Sequence, residues 1–171
     1  ISNALAAALA ATHAGADDEA ITETLRHFSY LPHRIEMISD HKGVRWYDDS
    51  KSTTPHSVTA ALESFDNVIL IMGGRNKGLD LTVIAPMLNR VKHLIAIGEA
   101  SKEIELAFEK KVNVSLAESM EDAVGIAHTQ SYSGDVVLLS PGCASFDSYK
   151  SYKERGLDFA MKVKNLHKEE K

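Results

Sequence analysis

At 171 residues, 44% hydrophobic, 25% charged and with a formal net charge of -5, the chain has the size and balance of one soluble globular domain, or one domain plus a piece of another. Its lysines and arginines are scattered through an acidic sequence, which disfavours nucleic acid as a partner, because such binders present a basic face. No apolar run approaches the roughly 20 residues of a membrane span, no signal-peptide pattern is present, and the single Cys143 excludes an internal disulfide and fits a reducing cytoplasm.

The first residue is Ile1, and "ISNALAAALAATHAG" is a helix-forming run with no cap before it. A chain that starts inside a helix is expected to be a fragment whose N-terminal part was cut away. The run predicts a helix over 3–12 ending near Gly15, and Asp17 caps a second helix through about Phe28. "LPHR" at 31–34 is the one candidate boundary. Alternation predicts strands over 34–39 and 44–48 joined by His41-Lys42-Gly43, a β-hairpin. Thr54 as N-cap and Pro55 in the first helical position start a helix to about Ser64. An apolar strand follows at 67–72, then a helix capped by Asp80 to about Leu88, a strand at 92–97 and a helix from about Ser101 to Lys110. A short strand covers 112–116, Ser119 with Asp122 resembles a capping box for a helix to about Gln130, and 135–139 is a strand. The last helix carries Tyr149, Tyr152, Gly156, Phe159, Ala160 and Val163 at helical spacing, with Lys162, Lys164 and Lys168 on a solvated face. Strands apolar on both faces, alternating with helices, give an α/β fold: a mostly parallel sheet with one antiparallel edge strand from the hairpin and helices on both faces.

Ligands of such sheets bind beyond the carboxyl ends of the strands. That rule selects "YDDSKSTT" (47–54), "MGGRNKGLD" (72–80) and "LLSPGCASFDSY" (138–149). In the first, a helix N-terminus, the Thr53 and Thr54 hydroxyls and Lys51 suit an anion, and Asp49 suits a ribose hydroxyl or a metal-bound water; a capped, solvated turn explains the same residues. In the second, three glycines allow close backbone approach and Lys77 suits a carboxylate or phosphate, but neither a P-loop nor G-x-G-x-x-G occurs in the chain. In the third, Ser145 lies where it could cap the last helix or bind a carboxylate. Cys143 has no base tied to it and reads as a small buried residue, and Ser140 lies outside any G-x-S-x-G. The eight histidines show no ligand spacing, so no metal site is expected. His33-Arg34 could grip a phosphate. Together the loops place Lys51, Lys77, Thr53 and Ser145 at one sheet edge, a cationic crevice in an acidic protein.

Those three segments, with "NALAAALA" (3–10) and "LPHRIE" (31–36), resemble in this order the C-terminal part of a Mur ligase, and "LLSPGCASFDSYKSYKERGLDF" (138–159) resembles the D-glutamate-adding branch. The resemblance covers essentially the whole chain. It implies that 1–30 is the tail of a central ATP-binding domain and 31–171 the Rossmann-like C-terminal domain that brings the amino acid, with the N-terminal and central domains missing. It implies a monomeric enzyme that uses ATP and Mg2+ to turn the carboxylate of UDP-N-acetylmuramoyl-L-alanine into an acyl phosphate, which D-glutamate then attacks, in peptidoglycan synthesis. The fragment, lacking the P-loop and the magnesium ligands, is expected to be inactive alone.

Residue by residue, the resemblance assigns Asn3, His33, Arg34, Asp49 and Lys51 to the nucleotide side, with Arg34 on the phosphates. It assigns Thr53, Lys77, Ser145, Phe146 and Tyr152 to D-glutamate, with Lys77 pairing a carboxylate, and makes Lys51 and Lys77 the catalytic cations. Tyr152 stands where phenylalanine is common and Gly142 where alanine is usual. Two alternatives differ in class. One is a free-standing Rossmann-like module for a small acidic ligand, against which the mid-helix start argues. The other is the C-terminal domain of a different Mur or folylpolyglutamate-type ligase, against which "SPGCASFDSY" argues.

Overall fold

The computed structural model describes residues 2–28 and 31–169. Its contacts divide the chain into Ile1–Leu31 and Pro32–Lys171. The first unit holds two helices, α1 (Ser2–His13) and α2 (Asp18–His27). They are joined by a Schellman turn: Ala16 N–H donates to Ala11 O and Gly15 N–H to Thr12 O, with Gly15 at φ 93°. Asp17 caps α2 by accepting from Ala20 N at 2.7 Å.

In the second unit β1 (Glu36–His41) and β2 (Val44–Asp48) form the hairpin. Its turn is the two residues Lys42-Gly43, at φ 51° and 80°, so β1 runs later than 34–39 and takes in His41. Then come α3 (Pro55–Leu62), β3 (Val68–Gly73), a 3-10 helix (Leu81–Arg90), β4 (Val91–Ile97), α4 (Ser101–Phe108), β5 (Asn113–Ala117), α5 (Met120–Gln130), β6 (Val136–Gly142) and α6 (Tyr152–Glu169). Leu81–Arg90 winds more tightly than an α-helix; Pro86 at its centre has no N–H to donate and its ring disfavours an α turn there.

The six strands order as β1-β2-β6-β3-β4-β5, parallel except for the antiparallel edge pair β1-β2. This is the mixed sheet that the strand pattern implied. β3 is buried along its whole length, and its alternating side chains feed two cores. Leu70 and Met72 meet Val58 and Leu62 of α3, Ile84 of the 3-10 helix and Ile104 and Phe108 of α4. Ile69 and Ile71 meet Trp46, Val124 of α5 and Phe159 and Val163 of α6. Each fully buried side chain of this size contributes roughly 1.5–3 kcal/mol, so the sheet is a rigid platform for its edge loops.

Candidate functional site

The chain leaves β2, crosses by α3 to β3, moves outward through β4 and β5, and returns by α5 to place β6 between β2 and β3. The order therefore reverses around β6. The carboxyl ends of β2, β6 and β3 lie side by side at this switch point, the position at which open α/β sheets bind ligands. Asp48 pairs with Leu139 and Gly73 with Gly142, so "DDSKST", "SPGCAS" and "GGRNKG" leave the sheet side by side.

The feet of these loops are buried and densely bonded. Asp49, 2% exposed, accepts from Ser140 Oγ at 2.8 Å and from Ile35 N at 3.3 Å, and its own N–H donates to Leu139 O at 2.8 Å. Asp48, 1% exposed, shares a 2.7 Å hydrogen bond with His33 Nδ1 and accepts from Ser50 N at 2.8 Å. Burial pushes both carboxyls above the ordinary value, because water is withdrawn from the ionised form. Arg155, from the first turns of α6, reaches under all three loops and is 3% exposed. The side of Gly156 facing β2 has no room for a methyl group, which would collide with the Asp48 carboxylate and His33 Nδ1.

The tips carry the free groups. Arg75 and Ala144 exchange backbone hydrogen bonds of 2.8 and 3.0 Å, zipping the second loop to the third beside Ser145. Lys77 is exposed, with Nζ 5.6 Å from the Phe146 ring centre. Lys51 Nζ lies 3.3 Å from Tyr152 Oη and 5.1 Å from its ring centre. Thr54 and Ser57 form a capping box at the start of α3, with Pro55 behind it. Among the described residues the hydroxyls of Thr53 and Ser145 have no hydrogen-bond partner, and neither Lys77 nor Arg34 forms an ion pair. On the α5–α6 side of Arg155 a cleft of about 330 Å³ is walled by Gly74, Gly98, Glu121, Asp158 and Lys162.

Of the residues singled out from sequence, Lys51, Thr53, Lys77, Ser145, Phe146 and Tyr152 lie on loops that leave adjacent strand ends or, for Tyr152, at the start of α6. Arg34 is exposed beside them in sequence, and Asn3 is exposed on α1 in the other unit. Two assignments are narrowed and one expectation is corrected. Each Asp49 carboxylate oxygen accepts a hydrogen bond inside the protein, which leaves a ligand only its remaining acceptor capacity. His33 Nδ1 is engaged by Asp48, which leaves Nε2 as the ring nitrogen for a ligand. Ser145 does not cap the last helix, which begins at Tyr152; the Ser151 hydroxyl accepts from Glu154 N instead, while the Ser145 carbonyl accepts from Ser148 and Tyr149. Cys143 is buried as expected, and burial pushes its thiol up to about 11, far from a thiolate nucleophile at neutral pH.

Sequence reasoning gave no role to Arg155, Asp48 and Ser50, and weighed Ser140 only as a hydrolase nucleophile. One signal existed for the first: Arg155 lies four and eight residues before Phe159 and Val163, on the apolar stripe of its helix. Among the described residues, one group brings metal-type donors together: His33, Glu36 and Asp48, within 4.8 Å of one another. Within this group the His33 backbone N–H donates to Glu36 Oε2 at 2.9 Å and the ring Nδ1 bonds Asp48 at 2.7 Å.

The profile of the Mur ligase, glutamate ligase domain matches residues 33–143. A UDP-N-acetylmuramoylalanine–D-glutamate ligase of Chlamydia felis is 45% identical over 150 residues, covering 86% of this chain and 36% of that protein. The chain thus spans little more than a third of the curated relatives it matches. Its fold is similar to that of UDP-N-acetylmuramate-alanine ligase from Thermotoga maritima, with a TM-score of 0.73 at 15% identity over 99% of this chain and 37% of that one. It is also similar to a Yersinia pestis bifunctional folylpolyglutamate synthase/dihydrofolate synthase complexed with AMPPNP and Mn ion, with a TM-score of 0.60 at 19% identity over 88% of this chain and 35% of that one.

Proposed function

The chain belongs to the Mur ligase family through its glutamate ligase domain, and on that premise we propose that it is the amino-acid-delivering C-terminal part of an ATP-dependent ligase joining D-glutamate to UDP-N-acetylmuramoyl-L-alanine. Residues 1–30 are read as the tail of the central ATP-binding domain and 31–171 as the C-terminal domain. The enzyme is read as cytoplasmic and monomeric, with its P-loop in the part beyond this chain.

One observation carries the reading. Where the three loops meet, Asp48, Asp49, Ser50, Ser140 and Arg155 are bonded within the protein, which leaves Lys77, the Thr53 and Ser145 hydroxyls, and Lys51, whose hydrogen bond is to the Tyr152 hydroxyl. That set is complementary to a small dicarboxylate on one side and to phosphate on the other. Lys77 pairs with one carboxylate of D-glutamate, and Thr53 and Ser145 donate to it. Phe146 lies beneath the ammonium and limits its range. Lys51 and Arg34 face the phosphates, and Asp49 acts one step back, holding the turn that carries Lys51.

Once the UDP-sugar carboxylate is an acyl phosphate, the D-glutamate amine attacks its carbonyl and phosphate leaves. The domain's share of catalysis is to hold the amine in line and to offset the negative charge gathered there. Mg2+, when bound, neutralises phosphate charge. Its ligands are assigned to the central domain, as the family resemblance implies.

The test is Lys77→Ala in the full-length enzyme. The KM for D-glutamate rises at least tenfold, about 1.4 kcal/mol of lost binding, while the KM for ATP stays within twofold. Equal effects on both would remove Lys77 from the amino-acid pocket.

A further inference from the structure

Arg155 is the least expected charge in the domain. It sits on the buried stripe of α6 with Phe159 and Val163 and is 3% exposed. Its Nε donates to Ser50 Oγ at 3.0 Å and its Nη2 to Ser50 O at 3.0 Å. The same Nη2 donates to Cys143 O at 3.1 Å, and Nη1 donates to Gly73 O at 3.3 Å. All of these acceptors are neutral. Carboxylates contribute only at longer range, and burial pushes the guanidinium down to about 10, which leaves it cationic at neutral pH.

Burying a cation costs several kcal/mol, and a well-packed apolar side chain at such a site is often as stable. Packing alone therefore gives no reason for an arginine. The acceptors supply one, because each belongs to the foot of a different site loop. Ser50 separates Asp49 from Lys51, Cys143 precedes Ser145 by two residues, and Gly73 precedes Lys77 by four. A methyl group on Gly74 would strike the Ala144 carbonyl and press on Arg155 Nη1, so the second loop is drawn tightly against the fork. Ser50 Oγ in turn donates to Tyr152 O at 2.8 Å, which returns the linkage to the start of α6.

We propose that Arg155 is a positioning residue: its planar guanidinium sets the spacing of the three loops, so that the nucleotide-side Lys51 and the amino-acid-side Thr53, Lys77 and Ser145 act as one site. The identity of the two substrates rests on the function proposed above; the joining of the loops does not. Lysine would keep the charge but has no flat fork to span three segments at once.

The two parts are tested separately. In the 171-residue chain, Arg155→Lys is followed by amide hydrogen exchange. The Ser52, Arg75, Gly142 and Ala144 amides, all hydrogen-bonded within or between these loops, exchange at least tenfold faster, while Leu70 and Val137 in the central strands are unchanged. Acceleration confined to the Ser50 loop, or spread evenly over the domain, would overturn the joining role. In the full-length enzyme, Arg155→Lys raises the KM for D-glutamate and the KM for ATP together, each at least fivefold, unlike Lys77→Ala. A merely structural arginine would lower the melting temperature and the active fraction and leave both KM values unchanged, which would also sink the proposal. If Arg155→Lys does not fold, Arg155→Met, which keeps the apolar stem without the charge, is read by the same exchange measurement. Loop-selective exchange with no response to D-glutamate would refute the substrate and leave the joining role standing.

Discussion

At the feet of the three site loops, Asp49, Ser50 and Ser140 are 2%, 0% and 0% exposed and bonded across the sheet edge. At the tips, Lys77 stands in solvent and Phe146 is 58% exposed. The two regions lie a few residues apart on the same loops yet follow different physics. At the feet, low dielectric makes each bond strong and each missing partner costly. At the tips, an isolated ammonium costs little to keep in water and is free to take a new partner. A site that must catch a small anion and then hold it in line needs both: a rigid base for geometry and unpaired cations for binding.

The sharpest way to break the contrast is to disturb a foot. Gly74→Ala combines φ 121° with a collision against the Ala144 carbonyl and is expected to cost about 3 kcal/mol or more, from backbone strain and the clash. Denaturant unfolding of the chain would show it, and a loss below about 1 kcal/mol would mean that the loop junction is not rigid. Lys77→Ala at the tip changes the same unfolding curve by less than about 0.5 kcal/mol, the scale of ordinary surface substitutions, although its effect on the D-glutamate KM is large.

A subtler comparison uses pH. Burial holds the Asp49 carboxyl above its ordinary 3.8 in the folded state. The folded protein therefore binds that proton more readily than the unfolded chain does. Its contribution to stability falls as pH rises from 3.8 through the raised value and is level on either side. Asp49→Asn removes that dependence. Melting temperatures from pH 4 to 8 should show wild type losing ground to the variant as pH rises through that window, and a trend of opposite sign would refute the burial argument. The smallest effect is expected from Tyr152→Phe, which deletes only the 3.3 Å contact to Lys51. The KM for ATP in the full-length enzyme should change by less than threefold, with stability unchanged within about 0.5 kcal/mol.

The Tyr152 position shows how a departure seen in sequence acquires meaning. Its backbone carbonyl serves Ser50 and its hydroxyl reaches Lys51. A phenylalanine would keep the first role and lose the second.

Local pattern was enough for most of the architecture. Uninterrupted apolar runs such as "VILIM" must be buried on both faces, and helices between them force parallel pairing, so the sheet, the antiparallel edge and the three edge loops follow from residues close together in the chain. The caps at Asp17, Thr54 and Ser119 were legible for the same reason, since each acts over two or three residues. Long-range pairing decided the rest. Asp49 meets Ser140 across 91 residues and Ser50 meets Arg155 across 105. No local spacing encodes those meetings, because they exist only once β6 has inserted between β2 and β3. Before that event Asp49 reads as a carboxylate offered to a ligand and Arg155 has no role. Afterwards both are out of water, and the free energy of keeping polar groups there assigns them to hold the site's geometry.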